Sequence, residues 1–212
     1  MPPRHTKSEF ASYLFPAWFL GQYPEKKVIQ TAHTAELAVG FGRKVRNLIQ
    51  SEEYQKVFSG IELSTDSKAA GRWNTNKGGD YFAIGVGGAV TGKGADVLII
   101  DDPHSEQDAQ AGQYNPEVFD KVYEWYTSGP RQRLQPGGAI ILVMTRWAKR
   151  DLTGQILKSM TEREGADDWE VIQLPAIMPS GSPLWGEYWR LEELESLKAE
   201  LPLSKWNAQY QQ

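Results

Sequence analysis

Val97-Leu-Ile-Ile-Asp-Asp102 decides how this chain folds. Four apolar residues without polar alternation, three of them β-branched, are what a strand buried on both faces requires, and this one ends in two carboxylates. Three other apolar segments stand around it: Lys27-Val-Ile-Gln-Thr-Ala32, Ala139-Ile-Ile-Leu-Val-Met144 and Val171-Ile-Gln-Leu174. Helix-type patterns separate them, and that alternation predicts an α/β protein with a mainly parallel central sheet flanked by helices. The segment 139–144 reads as a second central strand and runs into Thr145-Arg146-Trp147; the segment 171–174 reads as a further strand stopped by Pro175.

The helices between these strands carry their own start signals. Thr34 is a cap with Glu36 in the first turn, and Leu37, Ala38, Phe41, Val45, Leu48 and Ile49 then fall on one face. Asn115-Pro116-Glu117 starts a helix with Val118, Val122, Trp125 and Tyr126 inward, and Asp151 caps one carrying Leu152, Ile156, Leu157 and Met160. Leu191, Leu194, Leu197 and Leu201 mark a last helix ended by Pro202. Residues 59–94 differ: glycines punctuate short β-like pieces around Arg72-Trp-Asn-Thr75 and Tyr81-Phe-Ala-Ile84, predicting antiparallel hairpins that feed the sheet.

Composition narrows the chemistry. The chain has 212 residues, 40% hydrophobic and 24% charged, which excludes wholesale disorder. It has no cysteine, so thiolate metal sites, iron–sulfur clusters and cysteine nucleophiles are absent. His5, His33 and His104 have no metal-ligand spacing and read as surface or turn residues. The net charge of −4 gives no global basic field for nucleic acid. No apolar run approaches the roughly 20 residues of a membrane span, and the chain reads as intracellular.

In a parallel sheet, ligands bind at the carboxyl ends of the strands. Asp101 and Asp102 stand at such an end, where one carboxylate can hold hydrated Mg²⁺ and its neighbour can deprotonate an attacking water; the alternative is that they only end the strand. Pro2-Pro-Arg-His-Thr-Lys-Ser-Glu9 opens the chain. Its Lys7-Ser8 is either a solvated terminus or the end of a phosphate loop, with the lysine on the β/γ oxygens and the serine hydroxyl on Mg²⁺. Lys7 followed about ninety residues later by a strand ending in two acids is the two-part arrangement of a P-loop NTPase. Thr145 and Arg146, at the next strand end, either sense the γ-phosphate or, for the arginine, pair with a local acid. Gly87-Gly-Ala-Val-Thr-Gly-Lys-Gly-Ala-Asp96 mimics a phosphate loop but precedes a strand, which is the wrong context.

Taken together these motifs resemble the ATPase domain of the large terminase subunit, the DNA-packaging motor of tailed bacteriophages. Pro2 to Ser8 is similar to the family's variant Walker A loop, which implies Arg4, His5, Thr6, Lys7 and Ser8 as nucleotide-binding residues. Thr91-Gly-Lys-Gly-Ala-Asp-Val-Leu-Ile-Ile-Asp-Asp-Pro103 resembles the loop and Walker B strand, implying Asp101 with Ser8 as Mg²⁺ residues and Asp102 as the catalytic acid. Met144-Thr-Arg-Trp147 with Asp151-Leu152 resembles the coupling motif, implying catalytic roles for Thr145 and Arg146. Leu174-Pro-Ala-Ile-Met-Pro179, Leu184-Trp185 and Trp206-Asn-Ala-Gln-Tyr-Gln-Gln212 resemble the end of that domain.

The resemblance implies an additional-strand P-loop NTPase over residues 1–212, with 180–212 as the end-of-domain and linker region. The first strand of the family and its C-terminal nuclease domain are expected to lie outside these residues, so nuclease activity is not expected of them. It further implies an ATPase with Mg²⁺ as cofactor, driving viral DNA into a procapsid in the host cytoplasm. The implied partners are double-stranded DNA, the portal of the procapsid, the small terminase subunit and other copies in a ring, with no membrane. Three departures stand out. Thr6 replaces the glycine before the lysine, Asp102 stands where glutamate is common, and Lys93-Gly94 occupies a stretch where the family often carries a trans-acting arginine, leaving Arg4, Arg131 or Arg133 to serve. A helicase-like ATPase and a catalytically silent DNA-binding or assembly module are the rival readings.

Overall fold

The computed structural model describes residues 1–211, the side chains at 67 and 68 excepted. Two compact units are formed by discontinuous stretches of chain. The larger comprises Ser8–Ser105 and Lys121–Val143 and holds the sheet; the smaller comprises Met1–Lys7, Glu106–Asp120 and Met144–Gln212.

The larger unit contains a six-stranded sheet in the order β2-β3-β4-β1-β5-β6. Its strands are β1 (Lys27–Ala32), β2 (Leu63–Ala69), β3 (Arg72–Thr75), β4 (Asp80–Gly85), β5 (Ala95–Asp101) and β6 (Leu134–Val143). β1 is parallel to both β4 and β5, and β5 is parallel to β6. β2-β3-β4 is an antiparallel meander, as the glycine-punctuated region predicts. β1 and β5 are buried along almost their whole length, which is why their apolar runs show no alternation. The β5 acid Asp96 pins the start of β1: it accepts from the Lys26 ammonium at 2.9 Å and from the Lys27 amide at 2.8 Å.

A π-helical turn, Glu9–Leu14, leads into α1 (Phe15–Gln22); α2 (Ala35–Ile49) and the short α3 (Glu52–Val57) follow β1. Thr34 caps α2 as expected, its side chain accepting from the Leu37 amide. Ala38, Phe41, Val45 and Ile49 are buried, each large aliphatic contributing roughly 1.5–3 kcal/mol. α2 reaches the sheet closely at Gly42. A Cβ there would lie 2.6 Å from the Ala70 carbonyl, and the Gly42 carbonyl accepts from the Trp73 indole at 3.1 Å. α5 (Glu117–Ser128) starts where Asn115 accepts from the Glu117 amide; in it Phe119, Val122 and Tyr126 are buried while Val118 and Trp125 are half-buried.

The smaller unit carries α4 (Glu106–Ala111), the first turn of α5, α6 (Leu152–Glu162), α7 (Leu191–Glu200) and α8 (Leu203–Trp206). Asp151 caps α6, accepting from the Gly154 amide. Leu194, Trp206 and Ala176 form its apolar cluster, with Ile177, Trp189, Leu201 and Tyr210 against them. Gln212, the last residue of the expected end-of-domain segment, lies outside the described residues. Among them, no helix is long and apolar enough to cross a membrane.

Two expected strands are corrected. β6 is longer than expected, beginning at Leu134, and it is the edge of the sheet rather than a central strand, with Ile140 to Val143 only half-buried. An unbroken apolar run looks the same at the edge and in the middle, because the pattern records no neighbours. Residues 171–174 form no strand; Val171 is 48% and Ile172 72% exposed.

Candidate functional site

Parallel pairing brings Ala32, Asp101 and Val143 level at the carboxyl end of the sheet. Asp101, the last residue of β5, is 1% exposed, and a carboxylate is buried that deeply only with hydrogen-bonding partners. Two serines of the N-terminal segment supply them. Ser8 Oγ donates to Asp101 Oδ1 at 3.0 Å across 93 residues of sequence, and Ser12 Oγ donates to Oδ2 at 2.6 Å. Four residues apart, Ser8 and Ser12 lie on one helical face. Behind Ser12, the Gln30 amide of β1 donates to its oxygen at 3.2 Å.

Asp102 is not a strand residue. Its φ of 41° turns the chain sharply at the end of β5, and its carbonyl accepts from the His33 amide at 3.2 Å. This turn separates the two neighbouring acids: Asp101 is buried and Asp102 partly exposed.

In the smaller unit, Lys7 Nζ donates to Thr145 Oγ1 at 3.2 Å, joining residues 138 apart. Arg146 has a local acid: its Nε lies 3.2 and 3.0 Å from the two Asp151 oxygens, and Nη2 donates to the Ala148 carbonyl. Asp151 also accepts from the Trp147, Ala148 and Gly154 amides, so one buried carboxylate organises the whole turn into α6. Arg4 and Thr6 both take left-handed backbone, with φ of 60° and 65°. His5 and His104 are buried, not surface residues, at 1% and 2% exposure. The His5 ring pairs through Nδ1 with the Pro3 carbonyl at 2.8 Å and stacks on Trp189 with centroids 6.0 Å apart.

The donor set suits a particular ion. Among the described residues no three carboxylate or imidazole side chains gather into a metal cage. One carboxylate with one hydroxyl fits Mg²⁺, which keeps several waters and takes phosphate oxygens for the rest.

No protein-family model and no curated protein matches the sequence. Among solved structures, the crystal structure of the HK97 bacteriophage large terminase matches over the whole of this chain, with a TM-score of 0.60 and 14% identity. The chain has the fold of a large terminase. It spans 45% of that protein's length. The α/β class with a mostly parallel, helix-flanked sheet is therefore found as expected.

Against the terminase resemblance, Thr6 stands at a position whose backbone demands what glycine supplies without strain. Lys93 forms an ion pair with Asp80 at 2.6 Å, both side chains about one-sixth exposed, and lies 5.3 Å from the centre of the Phe82 ring. Its ammonium is engaged within its own unit. Ser12 and Gln30 escaped the sequence reading. Their signal was available only as anomaly: a serine inside Phe10-Ala-Ser-Tyr-Leu14, and a glutamine inside an apolar strand.

Proposed function

We propose that this chain is the Mg²⁺-dependent ATPase part of a terminase-like motor, and that its ATP hydrolysis drives double-stranded viral DNA into a procapsid. Its partners are the portal, a small terminase subunit and further copies in a ring, within the host cytoplasm. The observation that carries this reading is the Ser8–Asp101 hydrogen bond at the carboxyl end of β5. It joins the two sequence segments that a phosphate-binding loop and a magnesium strand would occupy, on a fold shared with a phage large terminase.

Each residue has a task that its chemistry supports. The Lys7 ammonium is a compact charge able to neutralise β/γ phosphate oxygens. Ser8 and Asp101 hold the ion and its water shell; when bound, the ion supplies charge neutralisation on the phosphates. The Asp102 carboxylate accepts the proton of the attacking water. Phosphate oxygens compete with Thr145 Oγ1 for Lys7, so nucleotide arrival and loss are felt at Thr145. Arg146 passes that change to the cap of α6 through Asp151.

The test is steady-state ATP turnover by the chain, with and without double-stranded DNA, alongside Lys7→Ala. We expect turnover to vanish in Lys7→Ala while the nucleotide-free melting temperature is unchanged. Full turnover in that variant overturns the assignment of the loop. Nucleotide-independent DNA binding without turnover by the wild-type chain replaces the motor with an assembly module.

A further inference from the structure

We propose that Ser12 and Gln30 are positioning residues for Asp101. Gln30 fixes the direction of the Ser12 hydroxyl, and that hydroxyl holds one oxygen of Asp101 so that the other stays with Ser8, oriented for hydrated Mg²⁺. The proposal rests on the magnesium role given above to Ser8 and Asp101.

The argument is one of proton counting. A serine hydroxyl has a single hydrogen and can donate once. At 2.6 Å from Asp101 Oδ2, Ser12 gives that hydrogen to the carboxylate, and its oxygen is then an acceptor facing Gln30. Gln30 meets it with its NH₂ group at 3.2 Å, and the same nitrogen lies 3.3 Å from the Thr31 carbonyl. Ser12, Gln30 and Thr31 are all fully buried, so bulk water cannot substitute for any of these partners. The cost of this arrangement is visible: Gln30 Oε1 is buried with no hydrogen-bond partner among the described residues. Turning the amide over would place that oxygen against Ser12, draw the hydroxyl hydrogen away and deprive Asp101 of its 2.6 Å bond from Ser12. The amide orientation that leaves an acceptor unsatisfied is thus the one that holds the carboxylate, as expected of a site where ligand geometry outranks local satisfaction. Ser12 lies within the π-helical turn, an irregularity often found where a side chain must be aimed.

The test is nucleotide binding titrated with Mg²⁺, read by calorimetry without turnover, on the 212-residue chain. Wild type and Asp101→Asn serve as references, with metal-free nucleotide binding and melting as baselines. Outer-shell partners of this kind change metal affinity by roughly 10–100-fold, so Ser12→Ala should raise the half-saturating Mg²⁺ concentration by about that factor. Gln30→Glu should do at least as much, because its carboxylate takes the hydroxyl hydrogen and adds like charge. Gln30→Met, which removes the donor that fixes the hydroxyl but offers nothing to draw its hydrogen from Asp101, should raise that concentration by less than Gln30→Glu, and a Gln30→Met titration at the wild-type level removes Gln30 from the role. That rank order is what lost packing cannot produce, since packing would make Gln30→Met as harmful as Gln30→Glu. Equal effects of the two Gln30 variants, or a Ser12→Ala titration that matches wild type while Asp101→Asn is impaired, overturns the positioning role alone. A wild-type chain whose nucleotide binding ignores Mg²⁺ overturns the magnesium reading beneath it.

Discussion

Thr6 illustrates how much one backbone angle can hold. A β-branched residue at φ 65° is strained by about 1–3 kcal/mol, whereas glycine adopts that angle freely but loses about 0.5–1 kcal/mol through the flexibility of its unfolded chain. Thr6→Gly should therefore stabilise the chain by about 1 kcal/mol, which for this size is a rise of roughly 2–4 °C in melting temperature; an unchanged or lower value in a thermal melt contradicts the strain. A second contrast belongs to the adjacent acids. Asp101→Asn should weaken Mg²⁺-dependent nucleotide binding together with turnover, with partial rescue at high metal. Asp102→Asn should spare binding and reduce single-turnover hydrolysis by roughly 10²–10⁴-fold. Equal defects in both quantities would remove the division of labour, and unimpaired hydrolysis in Asp102→Asn would move the proton acceptor elsewhere.

The antiparallel meander and α2 meet around a stacked pair, Trp73 on Tyr81, with ring centroids 4.7 Å apart and planes 4° from parallel. Trp73 has its partner in the Gly42 carbonyl, but the Tyr81 hydroxyl is buried without one among the described residues. An unsatisfied buried hydroxyl costs about 1–3 kcal/mol, so Tyr81→Phe should raise the denaturant midpoint, while Trp73→Ala should lower stability by about 3–5 kcal/mol. Loss of stability in Tyr81→Phe would show that the hydroxyl is paired after all. Elements of this kind were legible in the sequence when the pattern was long or capped: β1, β5, the meander, α2 after Thr34 and α6 after Asp151. The segment 171–174 was not, because four apolar residues specify a strand only if a neighbour accepts them. The burial of His5 was hidden because its environment is an aromatic ring 184 residues away in sequence, Trp189. At the site, Ser8 and Asp101 could be named from residue type and spacing, whereas the route from Gln30 through Ser12 depends on a helical face meeting a strand that no spacing encodes.

For the whole molecule, alkaline pH should be destabilising, and the cause is buried phenols. Burial pushes Tyr54 up to about 12 and raises Tyr81 and Tyr210 as well. The neutral phenol is thus favoured in the folded state, while the unfolded chain ionises near 10. Its contribution is complete below pH 10 and is lost as pH rises toward 12. Denaturant midpoints at pH 8, 10 and 11 should fall in that order, and Tyr54→Phe, which also removes the bond to the Ala17 carbonyl, should fall less steeply; parallel profiles would assign the loss to other groups. The position of β1 has a consequence for how the chain is made. Val28 of β1 is level with Tyr81 on one side and Val97 on the other, so each flank closes a loop of more than fifty residues, whereas the meander pairs near neighbours. Closing long loops is slow. During synthesis β1 emerges before either strand that covers it, and its apolar side chains and backbone hydrogen-bonding groups wait, unpaired and open to other chains, until the ribosome has delivered β4 and then β5.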